Sequence, residues 1–342
     1  MTQPPSAMRE FTDREREAIR REVLASGRPA VLRGLVDGWP AVAAGRRSPR
    51  ELGEYLRRLD SGGLVDAIMT PPEIEGRIFY NEAMNGFNFV RNRLPISAVA
   101  EQVLRYGAFA RAPAVAAQSA LLRDCLPGFA TENPLPLLDD DVPPRIWLGT
   151  AITTPTHLDE WHNIGCLVSG RRRFTLFPPE QVANLYIGPL DFAPTGAPMS
   201  LVRLHEPDFD RFPRFREALG AAVTAELAPG DAIYIPPLWW HHVESLESFN
   251  VLINYWWHAA GGPPGAGPSG FDSLLYAILN LRSLPPSARA AWRALFDHYV
   301  FGSQAEVSAH IPERCRSFLG DIAPATAERL RAELAQRLAV RK

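Results

Sequence analysis

Hydrophobic and polar positions change their period near residue 145 and again near residue 260, which divides the chain into 1–144, 145–260 and 261–342. In the first region helix and strand patterns mix. Ile19, Val23 and Leu24 recur at helical spacing through the charged segment 12–25, with Thr12-Asp13 as its cap, which predicts a surface helix. The apolar run 29–35, closed by Gly34 and the Asp37-Gly38-Trp39-Pro40 turn, predicts a strand. Ser48 before Pro49 opens a second helix that runs to about Leu59. Strands are expected over 64–69 and 77–80, and a helix from Pro95 to about Tyr106. The alanine-rich stretch 112–122 fits neither period, and the proline-rich segment 126–144 reads as a loop.

From residue 145 the apolar runs are short and strand-like: 146–149, 164–168, and 171–177 after a Ser169-Gly170 hairpin turn. Segment 180–224 breaks this pattern, being aromatic, proline-rich and irregular; it is either a lid or a structural flap. Residues 225–227 lead through Pro229-Gly230-Asp231 into another apolar strand, and 249–257 supply one more. Gly261 to Pro268 reads as a linker, and beyond it helices are expected over 271–281, 287–300 and 324–340. The 32 prolines and 25 glycines are too many for a helical bundle and suit a chain of short strands and turns, so the fold class is mainly β with surrounding helices.

Composition narrows the function classes. With 46% hydrophobic and 22% charged residues the chain has the profile of a soluble, well-cored protein. A net charge of −2 gives no reason to expect nucleic acid as a partner. Cys125, Cys166 and Cys315 are odd in number and far apart, which argues against a disulfide framework and for a reducing compartment. No apolar run is long enough to span a membrane and the amino terminus lacks a signal-peptide core, so a cytoplasmic location is expected.

The candidate chemistry begins at Thr154-Pro155-Thr156-His157-Leu158-Asp159-Glu160-Trp161-His162-Asn163. Read as an extended strand, the stretch puts His157 and Asp159 on one face, close enough to share a metal ion. Chance alone yields on the order of one His-x-acid triplet in a chain of this composition. A second element raises its weight: the strand after Gly230-Asp231 delivers His241 and His242, either of which would complete a two-His-one-carboxylate set with open positions, the set of non-haem iron oxygen chemistry. His241 shares a face with Trp239 and Val243, and His242 with Trp240 and Glu244.

Four ordered motifs carry a resemblance: Thr154-Pro155-x-His157-x-Asp159-Glu160-x-x-Asn163; the run from Gly170 through Arg171-Arg172-Arg173 to Pro179; the run from Pro229 through Trp239-Trp240-His241-His242-Val243-Glu244-Ser245; and Asn254-Tyr255-Trp256-Trp257. Over about a third of the chain they resemble the cupin-like, JmjC-type Fe(II)/2-oxoglutarate oxygenases, and among these the bacterial relatives of the asparaginyl hydroxylase factor inhibiting HIF. Arg28 to Pro40 extends the likeness weakly towards the amino terminus. The resemblance implies a double-stranded β-helix, the jelly-roll barrel of cupins, in 145–260, with 1–144 flanking it and 261–342 as a helical dimerisation region.

It also implies site roles. His157, Asp159 and His241 would be the catalytic metal ligands, with His242 behind them in a packing or supporting role, where it could bond Glu244. Arg172, standing where the hydroxylase has Lys, would bind the distal carboxylate of 2-oxoglutarate, and Thr154, Asn163 and Asn254 match positions that bond the same cosubstrate. The family's cosubstrate tyrosine falls on Val115 beside Ala116-Ala117-Gln118-Ser119, so either Tyr80 or Ser119 substitutes or the cosubstrate is held differently. Trp256, on the Asn254 face, with Trp161 and Tyr80, are candidates for the substrate wall, and His162 for an outer layer. Fe(II), 2-oxoglutarate and O2 are then the expected cofactor and cosubstrates, and a hydroxylase of a protein, peptide or small-molecule substrate the expected activity. A homodimer formed through the carboxy-terminal helices follows from the same likeness. Two other classes keep the same ligands: a cupin metalloenzyme using another metal for isomerase or hydrolase-like chemistry, and a barrel retained only for binding.

Overall fold

In a computed structural model the described residues are 5–12, 16–194, 196–258 and 269–340. The expected linker 261–268 and Asp13 of the expected cap lie outside them. The chain divides into two compact units, Met1–Gly267 and Pro268–Lys342.

The first unit is built on two sheets. Its strands are β1 (Ser6–Ala7), β2 (Arg9–Phe11), β3 (Ala30–Leu32), β4 (Leu64–Thr70), β5 (Val90–Pro95), β6 (Ala114–Leu121), β7 (Pro144–Gly149), β8 (Thr153–His157), β9 (His162–Ser169), β10 (Arg172–Phe177), β11 (Val223–Leu227), β12 (Ala232–Ile235), β13 (Trp240–Ser245) and β14 (Asn250–Trp257). The smaller sheet has the order β1-β11-β10-β13-β8, and the larger β2-β3-β12-β9-β14-β7-β6-β4-β5. From β7 to β14 the chain passes repeatedly from one sheet to the other, so that β12-β9-β14-β7 and β11-β10-β13-β8 form a double-stranded β-helix, mainly β with helices outside.

Side-chain alternation assigns the two faces. Leu167, Ile233, Ile235 and Leu252 of the larger sheet pack inside the barrel against Phe174 and Leu176 of β10. Their neighbours Cys166, Val168, Val251 and Ile253 point outward and pack with Leu52 and Leu56 of helix Pro49–Leu59 and with Ile96, Val99 and Val103 of helix Ile96–Tyr106. Each fully buried side chain of this kind contributes roughly 1.5–3 kcal/mol. Ser48 caps its helix by accepting from the Glu51 backbone N–H, at about 1 kcal/mol.

Several elements depart from the sequence pattern. Residues 77–80 form no strand and contribute only the isolated bridges Arg77↔Thr153 and Tyr80↔Phe87. The alanine-rich stretch is β6, whose small side chains let β7 approach closely: a Cβ on Gly149 would lie 2.8 Å from that of Ala116. Beyond the Asp37–Pro40 turn lies a helix that pattern alone missed, Pro40–Arg47, with proline at its start. The 126–144 loop holds one helical turn, Phe129–Glu132. Segment 180–224 has a core of its own, in which Leu185, Val202, Phe215 and Leu219 cover Phe177 and Trp240 on the outer face of the smaller sheet. It also extends that sheet's edge through His157↔Met199. These contacts make it a structural flap.

The second unit contains helices Gly270–Leu281, Pro286–Tyr299, Gln304–Ser308 and Pro324–Val340. Ser269 and Asp272 close a capping box on the first of them. Among the described residues no helix is long and apolar enough to cross a membrane.

Candidate metal centre

His157 is the last residue of β8, and its register partner across the smaller sheet is His241 of β13. Their rings stand 4.1 Å apart between centroids. Asp159 joins them by a different route from the one strand alternation predicts, because β8 ends at His157. Leu158 turns into the core under the flap, and the Asp159 carbonyl accepts from the Leu238 N–H at 2.8 Å. The ligand atoms of His157, Asp159 and His241 all lie within 4.8 Å of one another.

Backbone carbonyls fix both imidazoles. Nδ1 of His157 lies 2.9 Å from the Pro155 carbonyl and Nδ1 of His241 lies 3.0 Å from that of Trp239. Carbonyls only accept, so each Nδ1 carries a proton, and Nε2 is the ring atom left to ligate; that of His241 is 3.6 Å from Asp159 Oδ2. Burial, with the neighbouring His241, holds His157 down to about 4, so it is neutral at physiological pH. Asp159 Oδ2 accepts from Asn163 Nδ2 and from Trp256 Nε1, each at 3.2 Å. Two imidazoles and one oriented carboxylate, all in or beside the barrel, are a donor set that suits a divalent first-row metal.

Further along the same strands lies a narrow pocket lined by Thr154, Arg172, Trp147, Gln118, Thr150, Val243 and Ser245, among others. Arg172 stands opposite Ser245 in register and Leu176 opposite His241, so the Arg172 backbone lies about 13 Å along the strand from the histidine, while Val243 and Thr154 of the pocket lining lie only about 7 Å from it. The Arg172 guanidinium is buried, its Nε lacks a hydrogen-bond partner, and burial lowers its pKa to about 10. A hydrogen-bonded line joins pocket to metal centre: Trp147 Nε1 donates to Asn254 Oδ1 at 2.8 Å, Asn254 Nδ2 to Asn163 Oδ1 at 3.3 Å, and Asn163 to Asp159.

The remaining candidates fall in different places. Trp256 spends its N–H on Asp159 and lies under the Arg145 guanidinium, 5.4 Å from ring centroid, so it orients the carboxylate. Trp161 flanks it at 6.0 Å and donates to His258 Nε2. Tyr80 lies outside the pocket lining; its hydroxyl donates to the Phe192 carbonyl at 2.7 Å within a cluster of Phe79, Phe87 and Phe192. Ser119 does not line the pocket either. It sits at φ 49° beside a register shift in β6, and its neighbour Gln118 faces the pocket instead. The sequence motifs did not single out Gln118, Trp147 or Ser245 as pocket residues; Gln118 lies beside Ser119, the candidate substitute for the cosubstrate tyrosine. His162 is in the outer layer, stacked between Tyr234 and Trp257, with Nδ1 2.8 Å from the Tyr234 hydroxyl. His242 makes no hydrogen bond to Glu244, whose Oε1 pairs with His205 instead.

A double-stranded β-helix carrying a His-x-Asp…His cluster defines a cupin-type metal centre. The family model described as a cupin-like domain matches residues 16–262, and the chain belongs to that family. Its relatives include human HSPB1-associated protein 1, 40% identical over 113 residues, which are 32% of this chain and 22% of that protein. Lysine-specific demethylase 8 of Xenopus tropicalis is 26% identical over 253 residues, 70% of this chain and 50% of its own. Lysine-specific demethylase JMJ31 of Arabidopsis thaliana is 34% identical over 116 residues, 34% of this chain and 21% of its own. The chain thus spans between a fifth and a half of these relatives. Among solved structures, E. coli ycfD aligns over 97% of this chain and 70% of its own, at 16% identity and a TM-score of 0.43.

Proposed function

We propose that the protein is an Fe(II)- and 2-oxoglutarate-dependent oxygenase that hydroxylates a protein, peptide or small-molecule substrate. The observation that carries this reading is a buried arginine without a hydrogen-bonding partner at Nε, in a narrow pocket on the strands that hold the His157-Asp159-His241 cluster. A metal cluster alone suits many reactions. A metal cluster with a buried cation one pocket away suits a dicarboxylate that chelates the metal at one end and is neutralised at the other.

His157, Asp159 and His241 would hold iron, which supplies the oxygen activation that couples loss of CO2 from 2-oxoglutarate, leaving succinate, to insertion of oxygen into a substrate C–H bond. The chain's own residues do the positioning. Arg172 offers its fork of N–H donors to the distal carboxylate, with Thr154 and Gln118 beside it. Asn163 and Trp256 both donate to Oδ2 of Asp159 and so hold the carboxylate in place beside the two histidines. Trp161 stands next to Trp256 as the nearest candidate for the substrate wall. The same resemblance supports pairing of two copies through the carboxy-terminal helices.

Anaerobic titration with Fe(II) and 2-oxoglutarate tests the proposal. A weak visible charge-transfer band is expected, absent in His157→Ala and Asp159→Ala and shifted to higher 2-oxoglutarate concentration in Arg172→Ala. Metal bound without a band would sink the 2-oxoglutarate reading and favour a cupin that uses its metal otherwise.

A further inference from the structure

We propose that His205, His242 and Glu244 form a second metal site, which takes a divalent ion of the zinc class and fastens the 180–224 flap to the outer face of the barrel. His242 and Glu244 alternate along β13 and therefore share its outward face, back to back with His241. His205 reaches them from the flap. One ligand atom from each lies within 4.8 Å of the others.

Two unpaired atoms point to a ligand rather than to a simple hydrogen-bonded pair. His242 is 4% and Glu244 8% exposed, and neither His242 Nε2 nor Glu244 Oε2 has a hydrogen-bond partner. Buried polar atoms in folded proteins are nearly always satisfied, and two orphans in one cluster call for a common partner. Oε1 of the same carboxylate is already turned to His205 Nε2, so all three side chains converge. Arg173 could have filled the role, yet its guanidinium bonds Glu226 at 2.6 and 3.0 Å and stays 3.9 Å from Oε2. The side chain of His205 is 57% exposed, which gives an ion a way in. Two imidazoles and a carboxylate, completed by water, make a tetrahedral set of the kind zinc accepts. Arg77 and Arg173 add positive charge nearby, so binding should be weaker than at the His157 centre.

The site stands apart from the proposed oxygenase reading, and its test removes the first centre. Full-length His157→Ala/Asp159→Ala protein, titrated with Co(II) under absorbance and with Zn(II) by equilibrium dialysis, should keep one equivalent of metal. Adding His205→Ala should abolish that equivalent, with circular dichroism unchanged, and adding Glu244→Gln should weaken it at least tenfold. In otherwise native protein the count should fall from two to one with His205→Ala, and zinc should protect residues 180–224 from proteolysis only while His205 is present. No metal on the first-centre variant, or an equivalent that survives His205→Ala, would overturn the proposal.

Discussion

Arg172 is buried with no hydrogen-bond partner for its Nε. Its pKa is lowered from 12.5 to about 10 by burial, so the protonated form is disfavoured in the folded protein. The sign follows: the penalty is fully present below about pH 10 and fades only as pH rises from there towards 12.5. At neutral pH it amounts to ~3 kcal/mol. Arg172→Met should therefore raise the melting temperature of the ligand-free protein by several degrees, while 2-oxoglutarate binding is weakened. A calorimetric scan of the two proteins decides it, and a variant less stable than wild type would mean that the guanidinium has a structural partner. Asp159 offers the complementary case. Trp256→Phe and Asn163→Ala each remove one donor to Oδ2 and keep the metal ligands, so iron affinity should fall by about 10- to 100-fold while the fold survives. Competition against a fluorescent chelator measures that loss, and unchanged affinity would reduce both residues to packing.

The hairpin from β9 to β10 shows how an element delivers a residue to the site. Gly170 turns the chain with φ 81°, and a Cβ there would meet the Asn250 side-chain oxygen at 2.3 Å and the Phe249 carbonyl at 2.7 Å. Arg172 follows two residues later, so Gly170→Ala should both destabilise the barrel, by about 1–3 kcal/mol, and weaken 2-oxoglutarate binding. Thermal melting and the anaerobic titration read the two effects separately; an unchanged titration would show that Arg172 is positioned from β13 instead. Elements of this kind were legible from sequence because the helix over 49–59, the 169–170 turn and the histidine strands carry their signals within a few neighbouring residues. β6 was not, since alanine packs equally well in a helix or a tight strand and only the nearness of β7 decides. Gln118 could not be assigned to the pocket because its face depends on the distortion at Ser119. Asp159 reached the cluster through Leu158 packing under the flap, a long-range contact with no local signature. His205 was invisible for the same reason: its meeting with Glu244 depends on how an irregular segment crosses a sheet.

At the scale of the whole molecule the unequal treatment of apolar surface argues for a partner. The barrel unit buries most of its large apolar side chains in continuous cores and exposes only scattered ones such as Leu64, Val90 and Phe109, whereas in the helical unit Leu274, Tyr276, Leu279, Trp292, Leu295, Tyr299, Val300 and Phe301 are all exposed, Leu279 at 79% and Phe301 at 75%. Single apolar side chains on a surface need no explanation, but this many aromatic and aliphatic groups on two consecutive helices and the turn after them fit an interface. A stable pair needs roughly 800 Å² from each partner, which helices of this length can supply. A second copy of the chain, proposed above from resemblance, would cover that surface. Light scattering coupled to size exclusion should then give twice the monomer mass, and Leu279→Asp with Phe301→Asp should return it to a monomer. The charge-transfer titration of that variant should be unchanged, because every residue assigned to the centre lies in the barrel unit. A wild-type monomer would leave the exposed helices to a different partner, and a variant that lost both mass and titration would mean that the barrel itself depends on the pairing.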